Sequence, residues 1–150
     1  MRFPQIVVFE RDGRLAELLR PTFLRQRWKL REPRRYESCL KLLQATGPSI
    51  CVLRVGTDVV REMTLLDRVS WLCPEVGTIV VMETEYAAVE SLALELGALY
   101  VHPPGSSRGE LPALICHTMN RLIAGMGKAR KRDRKGIMPT TEEDAGVPSV

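Results

Sequence analysis

The chain has little of what most enzyme chemistry is built from. Histidine occurs twice in 150 residues, as His102 and His117, and neither can be joined to a nucleophile and an acid in a catalytic constellation. No G-x-G-x-x-G, P-loop or G-x-S-x-G pattern occurs, so the usual sequence evidence for dinucleotide, nucleoside-triphosphate or acyl-transfer chemistry is missing. The four cysteines, Cys39, Cys51, Cys73 and Cys116, form no C-x-x-C pair. Their spacing supports neither a metal site nor a disulfide framework. Each lies in an apolar stretch and reads as a reduced core thiol. No metal and no cofactor is expected. No run of about 18 apolar residues exists for a transmembrane helix. The apolar segment after Met1-Arg2-Phe3-Pro4 is too short for the core of a secretory signal. The expectation is a cytoplasmic protein with no membrane insertion.

What is present suits one globular domain. A chain of this length can bury most of its apolar surface without staples. The formal charge of +4 is unevenly spread. Arginine is dense between Arg11 and Arg35, and Lys128, Arg130, Lys131, Arg132, Arg134 and Lys135 form a basic block that precedes Glu142, Glu143 and Asp144. Such blocks are usually solvated. This one could supply phosphate contacts to a nucleic acid or lie on an anionic membrane surface, but it has no aromatic residue for base stacking. From Gly125 onward no apolar period is visible, and Gly136, Pro139, Gly146 and Pro148 interrupt the chain. Residues 1–124 are expected to form the domain, and 125–150 a basic, then acidic, disordered or extended tail.

Within the domain, short apolar runs alternate with amphipathic segments. Gln5–Phe9 reads as a buried strand, followed by the charged loop Glu10-Arg-Asp-Gly13. Asp12 is placed to cap a helix carrying Leu15, Leu18, Leu19 and Phe23, in which Pro21 predicts a kink or a division. Trp28–Arg31 is a charged, edge-like strand, and Tyr36, Cys39, Leu40 and Leu43 mark the second helix. Ser49–Leu53 is the third strand. Val59, Met63, Leu66 and Val69 mark the third helix, and Thr78–Met82 is the fourth strand. Val89, Leu92, Ala93 and Leu96 mark a fourth helix stopped by Gly97, and Leu99–His102 is the fifth strand. Ser107 to Glu110 has capping-box spacing and opens the last helix. The small, polar Gly105–Gly109 stretch could cradle an anion or serve only as a capped loop. Alternating strands and helices of this kind predict an α/β fold with a parallel sheet covered on both faces.

The run Leu72-Cys-Pro-Glu-Val-Gly-Thr-Ile-Val-Val-Met82, followed by Gly97-Ala98, Tyr100-Val101 and Pro104, resembles the corresponding part of response-regulator receiver domains. The resemblance covers about residues 5–124. It implies a doubly wound (βα)5, flavodoxin-like sandwich with strand order 2-1-3-4-5 and a working edge at the carboxyl ends of the strands. It also implies five functional positions there: two metal-holding acids after the first strand, a phosphoacceptor aspartate ending the third, a Ser/Thr ending the fourth and a Lys ending the fifth.

Against that pattern this sequence departs almost throughout. Phe9-Glu10-Arg11 leaves Glu10 as the one plausible metal-side acid. Arg54 stands where the acceptor aspartate is expected, Met82 where Ser/Thr is expected, and Pro103, or His102 in a shifted register, where Lys is expected. A guanidinium stays protonated and cannot be a phosphoryl nucleophile, and Arg54 beside Arg11 would repel Mg²⁺. Two readings follow: an internal Glu10–Arg54 pair in place of metal and phosphate, or a small anion or acidic partner residue bound by Arg11 and Arg54. The resemblance further implies that Tyr86 and Tyr100 lie near a dimer or output surface made by the fourth helix, fifth strand and last helix, although packing would also explain them.

The expected function is therefore a non-enzymatic signalling module, a receiver-like domain that cannot be phosphorylated and acts through protein contacts or self-association. The alternatives are a nucleic-acid adaptor using the basic tail and a small-ligand-binding flavodoxin-like domain.

Overall fold

A computed structural model of the chain describes residues 4–45 and 47–135. Five parallel strands, β1 (Gln5–Phe9), β2 (Lys29–Arg31), β3 (Ser49–Val55), β4 (Gly77–Met82) and β5 (Tyr100–His102), form one sheet in the order β2-β1-β3-β4-β5. The intervening helices are α1 (Arg14–Gln26), α2 (Tyr36–Ala45), α3 (Val59–Leu72) and α4 (Ala87–Glu95), and a short 3₁₀ turn at Arg108–Glu110 leads into α5 (Leu111–Lys135). The chain divides into two compact units, residues 1–119 and residues 120 onward. The first holds the sheet, and the described part of the second is the remainder of α5.

Side chains along a strand alternate between the two faces, and nearly every position of β1, β3 and β4 is buried. Val7, Cys51, Leu53, Val55, Val80 and Met82 form one face, packed with Cys39 and Leu43 of α2, Leu65, Leu66 and Val69 of α3, and Ala93 of α4. The opposite parity, Ile6, Val8, Ile50, Val52, Ile79 and Val81, is equally buried, as are Leu15, Leu19 and Phe23 of α1 and Leu111, Ile115 and Met119 of α5. This double coverage explains why the inner strands are continuous apolar runs, whereas β2, at an edge, is mostly exposed. Cys39, Cys51 and Cys73 are buried free thiols, and Cys116 is half-buried.

Three local expectations change. Helix α1 is a single element through Pro21, not a divided one. Pro21 is exposed, while Leu15, Ala16, Leu19 and Phe23 are buried on both sides of it, so packing outweighs the hydrogen bond that proline cannot donate. Strand β3 extends to Val55, which puts Arg54 inside the ladder opposite Val81. Helix α5 continues to Lys135, beyond the expected end at 124. Gly125 and Gly127 weaken a helix, but the following Lys, Ala and Arg residues are good helix formers. Residues 136–150, including Glu142, Glu143 and Asp144, lie outside the described residues.

Candidate functional site

The site follows from strand parity and register. Ile6, Val8 and then Glu10 share one parity, as do Ile50, Val52 and Arg54. Val8 pairs with Val52, so the next residues of that parity, Glu10 and Arg54, meet at the carboxyl edge of the sheet. Glu10 Oε1 lies 3.3 Å from Arg54 Nη1. The Glu10 side chain is 3% exposed, and its two oxygens also accept the backbone N–H groups of Leu15 (2.9 Å) and Ala16 (2.8 Å). Gly13 is the N-cap of α1 and has no side chain to offer these groups. Glu10 supplies the cap from outside the helix and places its negative charge at the positive end of the dipole.

Arg54 has two further partners. Its Nη1 is 2.8 Å from Asp12 Oδ1, and its Nε pairs with Glu83 Oε2. Asp12 therefore bridges inward to Arg54 as well as accepting from the Arg14 N–H at 3.1 Å. That N–H first, and the Arg54 and Arg14 guanidiniums after it, lower the Asp12 carboxyl pKa, against the opposing effect of desolvation. Glu83 follows β4, and its backbone N–H donates to the Val55 carbonyl at 2.9 Å. Its approach is open because residue 56 is glycine: a Cβ on Gly56, whose φ is +152°, would lie 2.7 Å from Glu83 Cβ.

Arg108 completes the cluster. Its Nη2 donates to the Met82 carbonyl at 2.7 Å and its Nη1 to the Pro103 carbonyl at 3.3 Å. Burial and the neighbouring Arg54 charge lower its pKa, while Glu83 works against both. Met82 is buried, with its side chain on the opposite face of the sheet in the core with Val55 and Val80. Pro103 is exposed. Neither side chain offers a group for phosphate. Arg11 is exposed and outside the Arg54 cluster, its carbonyl accepting from Arg34 Nη1 at 3.2 Å. Both Arg11 and Arg54 line a cleft of about 380 Å³ formed by the segments following β1, β2 and β3.

Sequence reasoning brought Glu10 and Arg54 together but missed Asp12 as a partner, Glu83 and Arg108. Glu83 has the parity of Val81, which pairs with Arg54, so the register carried a signal for it. Arg108 opens the 3₁₀ turn after β5, and nothing in strand periodicity points to it. Among the described residues no group of three or more His, Cys, Asp or Glu side chains is arranged to hold a metal, because Arg54 stands between the carboxylates.

No family model matches the sequence, and no curated protein matches it. Solved structures do. A receiver-domain protein from Methanospirillum hungatei superposes with a TM-score of 0.70 at 11% identity, over 82% of this chain and 98% of that one. A response regulator from Thermotoga maritima gives 0.65 at 11% identity, over 80% and 99%. A response regulator from Burkholderia pseudomallei, whose structure holds a phosphorylated aspartic acid, a calcium ion and citrate, gives 0.62 at 15%, over 82% and 72%. This chain has the receiver-domain fold. Within that fold Arg54, the penultimate residue of β3, is a positively charged residue held by three carboxylates.

The remaining candidates scatter. His102 is buried, and its Nε2 has no hydrogen-bond partner among the described residues, so it is neither a surface histidine nor a fully satisfied one. Burial first, then Arg108, lowers its pKa, while Glu110 and a backbone hydrogen bond with Ser107 oppose this. His117 is exposed. The Gly105–Gly109 stretch is a capped loop in which Ser107 Oγ accepts from the Gly109 N–H at 3.2 Å. Tyr86 and Tyr100 are both exposed, at the start of α4 and on β5. The side chains of Lys128, Arg130, Lys131, Arg132, Arg134 and Lys135 lie outside the described ones, although the α5 backbone runs through them. No helix among the described residues is long and apolar enough to cross a membrane.

Proposed function

We propose that this chain is a non-enzymatic signalling module of receiver type that takes no phosphoryl group and works through protein contacts. The observation that carries this reading is the clamp on Arg54 by Glu10, Asp12 and Glu83. Phosphoryl transfer to a receiver requires an anionic nucleophile with cations around it. Here the charges are inverted, with a cation at the centre and carboxylates around it, so the edge is locked in one electrostatic state. The surface for contacts is α4 and β5, where Tyr86, Leu92, Leu94, Leu99 and Tyr100 are exposed. Exposed apolar side chains on neighbouring elements favour burial against a partner.

The test is to incubate the full chain with a small-molecule phosphodonor and Mg²⁺ and to measure its intact mass. No addition is expected; a stoichiometric gain of one phosphoryl group sinks the reading.

A further inference from the structure

We propose that the cleft between the segments following β1, β2 and β3 binds a small phosphate-bearing anion. This inference rests on the lining of the cleft and stands whether or not the chain can be phosphorylated. In open parallel sheets ligands bind beyond the carboxyl ends of the strands, where the strand order reverses. In the order β2-β1-β3-β4-β5 that point lies between β1 and β3, and the cleft opens there, lined by Glu10 and Arg11 after β1 and by Asp58 and Arg61 after β3. Its volume of about 380 Å³ is in the range of small-molecule sites.

The lining carries five arginines and four acids, and their engagements differ. Glu10 is spent on Arg54 and on the α1 N–H groups. Glu62 is buried and accepts from the Gly56 N–H at 2.9 Å, and Asp58 caps α3 through the Arg61 N–H. Glu37 alone of the acids is exposed without such an engagement among the described residues. Arg54 is neutralised within its own cluster. Arg11, Arg34, Arg35 and Arg61 are exposed, and none has an ion-pair partner among the salt bridges of the described residues. Two of them are positioned: Arg34 holds the Arg11 carbonyl, and Arg61 lies 4.6 Å from the Tyr36 ring centre. Four exposed guanidiniums without a carboxylate partner in these salt bridges repel one another at one cleft, and an anion relieves that repulsion. Phosphate oxygens match the guanidinium fork.

The probes are inorganic phosphate and pyrophosphate, titrated into the full chain by calorimetry at constant ionic strength. Saturable one-to-one binding is expected, tighter for pyrophosphate. It should weaken at least tenfold in the Arg35→Ala/Arg61→Ala double variant and stay unchanged in Arg68→Ala, an exposed α3 arginine outside the lining. Amide-shift mapping on the unsubstituted chain keeps the test independent of variant folding. Shifts at Arg11, Arg35, Tyr36 and Arg61 support the site. Absence of saturable binding, equal loss in Arg68→Ala, or shifts confined to residues 128–135 overturns it.

Discussion

Arg54 carries one positive charge and meets three carboxylates, two of which also accept backbone N–H groups at the start of α1. The residue thus does for this edge what a bound cation would do: it lets several acids share a small space. Removing its charge should create a cation requirement. In Arg54→Asp, a fourth carboxylate would join Glu10, Asp12 and Glu83, and like charges at this separation repel strongly in a half-buried setting. The variant is expected to be less stable than the parent in chelator and to regain stability with Mg²⁺ or Ca²⁺, whereas the parent should respond to neither. With a dissociation constant on the order of 1 mM, 10 mM cation would restore about 1.4 kcal/mol. Thermal melts with and without cation decide it. At this scale the sequence was legible only where parity and register acted together. Glu10 and Arg54 stand on paired strands, so their meeting could be read. Asp12 and Arg108 reach the site from a loop and a 3₁₀ turn, whose paths are fixed by tertiary contacts and not by strand period.

Glu83 is placed by the elements around it. It leaves β4 beside Val55, and its side chain passes over Gly56, which has no Cβ to obstruct it. Gly56→Ala should therefore act twice, by straining a positive-φ residue and by pushing Glu83 away from Arg54. A loss of roughly 1–3 kcal/mol is expected in urea unfolding. Gly105→Ala is the control, because its added Cβ meets nothing within 4 Å; it should change stability by less than about 0.5 kcal/mol. Equal stabilities for the two variants would show that Gly56 does not position Glu83. Strand and helix order could be read from periodicity because β1, β3 and β4 are buried on both faces and so are uniformly apolar. Element ends were harder. Arg54 is charged and expected at the end of β3, yet its carboxylate partners let the ladder continue to Val55. Pro21 predicts a kink or a division, and the buried α1 residues around it keep the helix undivided.

For the whole molecule, the receiver-like architecture was legible because its evidence is distributed over five strand–helix units, while the cleft was not, because its lining comes from three separate strand-to-helix junctions. The same contrast applies to the surface of α4 and β5. The receiver resemblance implies that Tyr86 and Tyr100 lie there, with packing as the competing explanation, and both are exposed, as are Leu92, Leu94 and Leu99. Strand β5 is also an end strand of the sheet, so one edge of its backbone has no strand neighbour in that sheet. Burying these side chains against a second copy would remove apolar area from water without disturbing the Arg54 clamp, which depends on other elements. Sedimentation of the full chain should then show concentration-dependent self-association. Leu92→Glu/Leu99→Glu should abolish it with an unchanged circular dichroism spectrum, since charge at an apolar contact must be desolvated without a partner. An Arg35→Ala/Arg61→Ala chain should associate like the parent, because those residues line the cleft. A parent that stays monomeric at every concentration would remove self-association and leave a different protein as the occupant of this surface.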